Sequence, residues 1–516
     1  MTPVSHGKPC AGNPHARFEE GASAPETPRR NALLHKKRNV MVFALVAVAL
    51  VAGTAFAEFK AGFARVDATP PLGIPIVGYF HKRIADGVLD PLYLDCVAVS
   101  DGTNNALIYC VSSLGLGKAF MGKAAPALTA ATGVPRERIY VHATHTHTGP
   151  ATWTRSSFTK EENRLVAGYV DTCIAKMSEA GRLALADMAP ARIGVAKTVC
   201  RNVSFIRRYR MKDGSVRTNP GITNPNVKAP LGTPDETLQL IRFRRTGAPD
   251  IAIVNFGTHP DCIGGTKYSA DWPGIVRDTF EAAVGDGVKC LFLHAAPGDV
   301  NCSQRFPPPG RAALNAARKT RPKALALHVG RAVAGAALSV WDVCEEIPAG
   351  PVRGIVAKHA MPANKPTADE IKWVELFDAG RKNEIPLGRM EITTLTSPGS
   401  RVRNLKADHI QLFVSSLAIG DNLAFAGLPC EPFVDIGRAI KKRSPFRTTI
   451  ITCLTNDSVG YIASTKAHAD GGYEGLSSWL AAPTGDLLVD AQVKQLTALK
   501  ENSRDDAPSK PAAAKP

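Results

Sequence analysis

The sequence is poor in aromatic residues and lacks several patterns that would identify whole classes of protein. Phenylalanine, tryptophan and tyrosine make up 6% of its 516 residues, and none of its eleven cysteines falls in a C-x-x-C spacing. No segment repeats at the spacing of solenoid or propeller proteins. No block of basic residues is interleaved with aromatic residues, so nucleic-acid binding is not expected.

The composition is otherwise that of an ordinary globular protein. Apolar residues make up 44% and charged residues 21% of the chain, which excludes a wholly disordered or fibrous protein. The length allows two to four average domains or one large enzyme domain. The net charge is +17, and the part after residue 57 keeps 56 Lys and Arg against 43 Asp and Glu. This excess favours anionic partners, among them peripheral contact with an anionic membrane surface.

The N-terminal segment predicts export. Basic pairs precede an apolar run at residues 40–52, and Ala55-Phe56-Ala57 follows it. This order is typical of a secretory signal peptide over residues 1–57, with cleavage after Ala57 and a periplasmic or extracellular destination. The alternative is a membrane anchor, because residues 39–57 carry no charge and just reach the spanning length. At the other end, residues 500–516 are predicted to be a disordered tail.

The cysteines fit an exported protein without revealing how they pair. Cys10 would leave with the signal peptide, and ten cysteines would remain, enough for one or two disulfides. Cys110, Cys290 and Cys453 lie inside apolar runs, where a small buried hydrophobic residue is the better interpretation.

Between residues 59 and 499, short β-branched runs alternate with amphipathic helices, which predicts an α/β fold with mixed sheets covered by helices. Thr159 and Glu162 form a capping box before a helical apolar pattern, and Thr367 with Glu370 begins another helix. Asp271 marks the start of a third, with proline near its first turn.

Five predicted strands are each followed by ionisable or metal-binding side chains. The strands lie at residues 139–141, 251–256, 290–293, 423–428 and 449–454, and the side chains that follow include His145, His147, His259, Asp299, Glu431 and Tyr461. Ligands bind at the carboxyl ends of strands in open α/β sheets. We therefore expect an active site at this edge.

The spacing of the histidines suggests a metal. On an extended segment His145 and His147 would project from the same face. A histidine pair alone more often belongs to an ordinary polar loop than to a metal site. Here His259 and Glu431 follow other strands at equivalent positions, which favours a metal site. Two histidines, a carboxylate and a fourth nitrogen or oxygen ligand are a common ligand combination in catalytic zinc sites.

At this point the motifs resemble those of the neutral/alkaline, non-lysosomal ceramidase family. Residues 144–150 (THTHTGP) resemble its histidine motif, and residues 298–300 (GDV) resemble the start of its amidase hexapeptide. Supporting segments follow in the family order over about residues 60–480, and they are TPP at 69–71, GY at 78–79, SAD at 269–271, EPF at 431–433 and YEG at 473–475. The resemblance covers the N-terminal catalytic domain only, expected here at residues 58–499, without the immunoglobulin-like domain of longer members.

The resemblance implies roles for particular residues. Zinc would be held by His145, His259, Glu431 and Tyr461, although a tyrosine satisfied by a backbone carbonyl is the alternative for the last. His147 would carry a proton or contact the substrate, and Tyr473 would contact the substrate. Arg207, or its neighbour Arg208, would be the active-site arginine. Asp299 or Asp271 would take part in proton transfer or support the loops.

One departure from the family pattern changes the expected mechanism. Asn301 stands where the ceramidases carry their nucleophilic serine, and it cannot form an acyl-enzyme. We expect a zinc-dependent amide hydrolase that uses metal-activated water, with an N-acyl sphingoid lipid as the substrate that the resemblance implies. The alternatives are hydrolysis of other N-acyl or ester substrates, a non-catalytic metal- or lipid-binding protein, and a hydrolase that uses Cys302 as nucleophile.

Overall fold

A computed structural model of the chain describes residues 58–317, 320–397 and 399–505, with side chains up to residue 502. The predicted signal peptide and the last eleven residues of the predicted tail lie outside these residues. Within them, no helix is both long enough and apolar enough to span a bilayer.

The strands, in chain order, are β1 (Lys60–Asp67), β2 (Pro75–Ile76), β3 (Arg83–Ile84), β4 (Gly87–Val88), β5 (Tyr93–Ser100), β6 (Asn105–Val111), β7 (Ile139–Ala143), β8 (Ala189–Val199), β9 (Phe205–Ile206), β10 (Arg208–Met211), β11 (Val216–Thr218), β12 (Val227–Pro230), β13 (Thr237–Arg245), β14 (Ile251–Phe256), β15 (Lys267–Tyr268), β16 (Lys289–His294), β17 (Val300–Asn301), β18 (Glu345–Ile347), β19 (Val352–Pro362), β20 (His409–Ile419), β21 (Leu423–Gly427), β22 (Glu431–Pro432), β23 (Thr448–Thr452) and β24 (Tyr461–Ile462).

The α-helices are α1 (Lys118–Thr132), α2 (Lys160–Ala186), α3 (Asp271–Val284), α4 (Pro309–Ala317), α5 (Ala324–Leu338), α6 (Ala368–Asp378), α7 (Arg389–Thr396), α8 (Arg401–Asn404), α9 (Val434–Arg443), α10 (Thr465–Ala469), α11 (Tyr473–Ser477) and α12 (Thr484–Asp505). Short 3-10 turns lie at Arg136–Arg138 and Lys382–Glu384.

Two mixed sheets form the centre of the fold. In the described residues the larger sheet has the strand order β16-β14-β13-β8-β1-β5-β6-β7, with β18 added beside β8. The smaller sheet has the order β19-β20-β21-β23. Most neighbours are antiparallel, but β6 with β7, β14 with β16, and β21 with β23 are parallel pairs. The parallel pairs supply most of the strand ends from which the site is built.

The layers follow from which face of each strand is apolar. One core lies between the two sheets and contains side chains such as Val97, Ile241 and Phe425. The outer face of the larger sheet is covered at one end by α1 and α2 and at the other by α3 and α5. The outer face of the smaller sheet is covered by α9 and α12. The prediction of mixed sheets covered by helices is confirmed.

The two edge strands of the larger sheet meet at their carboxyl ends. The backbone N–H of His294, the last residue of β16, donates to Nε2 of His142 in β7 (2.9 Å). Nδ1 of His142 lies 2.8 Å from the carbonyl of Cys453, just after β23. One buried imidazole therefore joins the ends of three strands from both sheets, which brings the loops that follow them together.

The predicted helix starts are confirmed. Both capping boxes form, and the Thr159 hydroxyl accepts from the backbone N–H of Glu162, whose carboxylate accepts in return from Thr159. The last helix, α12, continues through Asp505, so the tail boundary that we placed at residue 500 falls inside a helix. Its late turns are anchored by Leu496 and Leu499, which are buried against the smaller sheet.

Candidate active site

The two histidines of the HxH motif come together, but not in the way the sequence suggested. Strand β7 ends at Ala143, and His145 has a left-handed backbone with φ 69°, so the segment is a tight loop and our expectation of an extended strand is wrong. The rings of His145 and His147 still meet, with centroids 4.9 Å apart and nearly perpendicular planes. Both residues are buried.

Backbone carbonyls fix the ring nitrogens of two histidines. Nδ1 of His145 lies 2.7 Å from the carbonyl of Leu114, and Nδ1 of His259 lies 3.1 Å from that of Pro297. Because a carbonyl only accepts, each Nδ1 carries a proton, and a neutral ring then presents a lone pair at Nε2. The two Nε2 atoms are 3.1 Å apart. Carbonyl-bound histidines are typical of metal ligands.

Glu431 completes this cluster. Its Oε2 lies 3.0 Å from Nε2 of His145 and 3.5 Å from Nε2 of His259, and it is buried without a hydrogen-bond donor. Burial raises the pKa of Glu431, but the neighbouring His145 and Arg207 outweigh it and leave that pKa below its usual value. Three acceptor atoms that face one another need a cation or a proton between them.

Tyr461 reaches the same place through a short parallel ladder. Strands β22 and β24 pair Glu431 directly with Tyr461, and the Tyr461 ring lies 6.5 Å from that of His259, nearly stacked. Burial and the charge of Glu431 raise the pKa of the Tyr461 phenol well above its usual value. The structure thus places Tyr461 beside Glu431 and His259, two of the other three residues that the resemblance implied as zinc ligands.

The donor set fits a metal ion. In the described residues, ligand atoms of His145, His147 and His259 all lie within 4.8 Å of one another and could hold one. The nitrogen and oxygen donors of the wider cluster are those that zinc takes in catalytic sites. His147 differs from the other two histidines, because its buried Nδ1 has no hydrogen-bond partner that would fix its proton.

A buried charged network lies behind Tyr461. Nε of Arg207 donates to Glu474 (2.8 Å), and its guanidinium lies 5.1 Å from the centre of the Tyr461 ring. Tyr473 packs edge-on against Tyr461, with ring centroids 5.4 Å apart. Arg208 also faces Glu474, at 3.5 Å, but its guanidinium lies over a phenylalanine ring. Arg207 is therefore the arginine nearer to the predicted ligands.

Asp299 and Asp271, which we expected to support loops, both accept hydrogen bonds from backbone N–H groups. Oδ1 of Asp299 accepts the backbone N–H of Val434 (2.9 Å), and burial raises its pKa to about 6. Asp271 accepts the N–H groups of Ile263 (2.8 Å) and Trp272 (2.6 Å) at the start of α3.

Asn301 and Cys302 both lie beside the cluster without providing a nucleophile to it. Nδ2 of Asn301 donates to Asp261 (2.9 Å), while its Oδ1 accepts the N–H of Ser303 (3.0 Å). The sulfur of Cys302 is fully buried against Cys262. Because this sulfur lies against Cys262, the structure gives no support to the alternative of a cysteine nucleophile.

Three buried side chains at the site have no counterpart among the predicted site residues. They are His142, whose ring joins the strand ends, His294, whose Nε2 lies 2.9 Å from the carbonyl of Thr258, and Glu474, which accepts from Arg207. Each has a signal in the sequence: the histidines end predicted strands, and Glu474 directly follows Tyr473.

A cavity of about 600 Å³ opens over the cluster. His145, Glu431 and Tyr461 lie among its lining residues, and two of the chain's five tryptophans line it as well, despite the low aromatic content. The other lining side chains are mainly apolar, with two cations among them, and the lining includes Leu114, Lys118, Phe120, Trp153, Arg155, Ile410, Val459 and Trp479.

Comparison with solved structures identifies the fold. Neutral ceramidase from Pseudomonas aeruginosa aligns with a TM-score of 0.65 at 17% identity, over 89% of this chain and 76% of that one. A ceramidase complexed with C2 aligns with a TM-score of 0.63 at 16% identity, over 89% and 77%. This chain has the fold of the neutral ceramidases. No protein-family model and no curated protein matches the sequence. The resemblance inferred from the motifs is thus confirmed at the level of fold.

Proposed function

We propose that the chain is a zinc-dependent hydrolase of N-acyl amides, related in activity to the neutral ceramidases. One observation carries the proposal: two histidines bound to backbone carbonyls and a buried carboxylate oxygen without a donor, far apart in sequence, meet at a cavity lined largely by apolar side chains. The shared fold adds support, although a fold alone does not fix a reaction.

Four residues would hold the metal: His145, His259, Glu431 and Tyr461. A zinc ion in such a site polarises a carbonyl and lowers the pKa of water toward neutrality. The protein's own contribution is to keep both Nε2 lone pairs directed at one point, which the carbonyls of Leu114 and Pro297 do.

Two neighbouring residues have free hydrogen-bonding capacity for the substrate. Nη2 of Arg207 is buried without a partner. It is therefore free to donate to the substrate carbonyl oxygen, which gains negative charge during amide cleavage. His147 has no carbonyl on Nδ1, so its ring can exchange the proton between its two nitrogens and pass it to the leaving amine. Tyr473, packed on Tyr461, is proposed to contact the substrate beside them.

The reaction proposed here proceeds by direct attack of water. Both ends of the Asn301 amide are already hydrogen-bonded, and an amide is no nucleophile. Asp299 remains in the loop before it, where its carboxylate holds the start of α9.

The cavity favours an amphiphilic substrate. Trp153, Phe120 and Trp479 offer an apolar surface to an acyl chain. Lys118 and Arg155 line the same cavity, and Arg155 forms no ion pair within the described part of the chain. A second candidate is therefore hydrolysis of N-acyl compounds or esters with an anionic group, such as N-acyl amino acids.

Metal analysis with a matched substrate panel tests the proposal. The purified protein is assayed for bound zinc and for hydrolysis of a short-chain ceramide, an N-acyl amino acid and an ester that share one acyl chain. Zinc with turnover of an amide supports the hydrolase. Zinc without turnover on all three compounds overturns it and favours the metal- or lipid-binding alternative.

Export is part of the same proposal. The basic and apolar pattern of residues 1–57 motivates it, and the net positive charge of the remainder motivates peripheral contact with an anionic membrane surface. N-terminal sequencing of protein recovered from the native host tests the cleavage after Ala57. Recovery of an intact N-terminus in the membrane fraction would favour the anchor instead.

A further inference from the structure

Two cysteine sulfurs lie unusually close together beside the candidate metal site. Sγ of Cys262 is 2.7 Å from Sγ of Cys302, and both residues are buried. Non-bonded carbon atoms in van der Waals contact are about 3.5–4.0 Å apart, and sulfur is larger than carbon. We propose that Cys262 and Cys302 form a disulfide.

Other cysteines in the described part of the chain have different partners. The thiol of Cys110 donates to the carbonyl of Phe292 (3.0 Å), and that of Cys344 donates to the carbonyl of Val340 (3.5 Å). These are contacts of a buried thiol and a half-buried thiol with the backbone. The contact of Cys262 with Cys302 instead joins two sulfurs that are 40 positions apart.

The bond would tie together two segments of the site. Cys262 lies three residues after His259, and Cys302 directly follows Asn301. The backbones of His259 and Asn301 already form an isolated parallel bridge. Asp261 accepts from the Asn301 amide between the two segments. A disulfide here fixes the separation of the loop that carries His259 from the loop that carries Asn301.

The chemistry is an ordinary two-electron oxidation. The two thiols lose two protons and two electrons, the S–S bond forms, and a disulfide oxidant such as glutathione disulfide is reduced to two thiols. Burial raises the pKa of Cys262, so the thiolate needed for exchange is scarce in the folded protein. The bond therefore forms while the chain folds or during local opening, and once formed it is shielded from reductants.

Peptide mapping tests the proposal on the full chain, without substrate and without reference to activity. The protein is refolded in glutathione buffer, denatured in the presence of an alkylating agent, digested without reductant and analysed by mass spectrometry. The expected result is a linked peptide pair that contains Cys262 and Cys302 and separates on reduction. Complete alkylation of both cysteines after refolding in the most oxidising buffer would overturn the proposal, as would linkage of Cys262 to a different cysteine.

Two variants and a stability measurement sharpen the test. In Cys262→Ser the linked pair is lost and Cys302 becomes alkylated, whereas in Cys173→Ser, which removes another buried thiol, the link persists. Reduction should lower the Tm of the wild type and of Cys173→Ser by several degrees, about the effect of removing a cross-link over a loop of this size, and leave the Tm of Cys262→Ser unchanged. Hydrogen exchange at residues 258–263 and 299–303 should rise on reduction in the wild type and in Cys173→Ser, and should not change in Cys262→Ser. Equal Tm values for the oxidised and reduced wild type would contradict a bond at this position.

Discussion

Nε2 of His145 lies 3.1 Å from Nε2 of His259, although 114 positions separate the two residues in the chain. The Nδ1–H group of each ring donates to a backbone carbonyl, so in the neutral rings two Nε2 lone pairs face each other at hydrogen-bond distance. Oε2 of Glu431 adds a third acceptor. Buried acceptor atoms that face one another cost free energy while the site is empty, and a bound cation removes that cost.

Replacing a single histidine of this set should remove the metal. In His259→Gln the Nε2 lone pair is lost, and we expect zinc affinity to fall at least about 100-fold, at the upper end of the loss caused by removing an outer-shell partner. Competition with a chromogenic chelator measures the change. His409→Gln, which changes an exposed histidine, is the control and should bind zinc like the wild type. Unchanged affinity in His259→Gln would show that the ligands are elsewhere.

Glu474 should be essential for stability because it compensates two buried guanidiniums. It is fully buried, accepts from Arg207 and from the hydroxyl of Thr218 (2.7 Å), and faces Arg208. Glu474→Gln leaves both arginines without their charge partner, and we expect a loss of about 3–5 kcal/mol in the free energy of unfolding.

A surface pair provides the control for Glu474. Glu161 pairs with Arg164 on the exposed face of α2, and because solvent screens this pair, Glu161→Gln should lower the free energy of unfolding far less than Glu474→Gln does. Denaturant unfolding monitored by tryptophan fluorescence gives both values. Equal effects in the two variants would mean that the buried network contributes no more than a solvated ion pair.

Gly78 should be intolerant of any side chain because of His147. Its φ is +106°, and a Cβ at this position would lie 2.8 Å from Nδ1 of His147. Gly133 is the matched control, since its φ is also positive (+71°) but a Cβ there would meet nothing within 4 Å. We expect Gly133→Ala to cost about 1 kcal/mol from backbone strain alone and Gly78→Ala about 1–3 kcal/mol more.

The catalytic rate provides a second measurement of the effect of Gly78→Ala. Displacement of His147 should lower kcat for the amide substrate in Gly78→Ala, while Gly133→Ala keeps the wild-type kcat. Similar unfolding free energies and rates in the two variants would show that His147 can move aside without cost.

Local patterns predicted the parts of the fold that depend on neighbouring residues. Capping boxes at Thr159 and Thr367 place helix starts because they use hydrogen bonds within four residues. The polar residues after the strands were recognisable for the same reason: a strand end is a local feature. Period-two alternation failed at His145, because a left-handed residue breaks the extended geometry that the alternation assumes.

Long-range relationships were out of reach of such patterns. Strands β7 and β16 lie at opposite edges of the larger sheet, and they meet through His142 and His294. This contact depends on how the whole sheet curves, which no local pattern specifies. The ladder that pairs Glu431 with Tyr461 likewise exists only in the folded chain. The resemblance to the ceramidases indicated which residues meet, whereas distances and proton positions came from the structure.

Asp299 should make the protein less stable as the pH rises from 4 to 6. Burial raises its pKa from 3.8 to about 6 in the folded state, so between these values the folded protein keeps a proton that the unfolded chain has lost. The contribution of Asp299 is therefore fully favourable below about pH 4 and is lost as the pH passes 6. At 1.36 kcal/mol per pKa unit, the total change is roughly 3 kcal/mol at most.

Asp299→Asn removes this titration while keeping an oxygen that can accept the N–H of Val434. We expect the variant to gain stability relative to the wild type as the pH rises from 4 to 7, by up to roughly 3 kcal/mol. Urea unfolding at several pH values, in chelator so that metal binding does not contribute, measures the difference. A stability difference that is constant with pH would mean that Asp299 ionises in the folded protein as readily as in the unfolded chain.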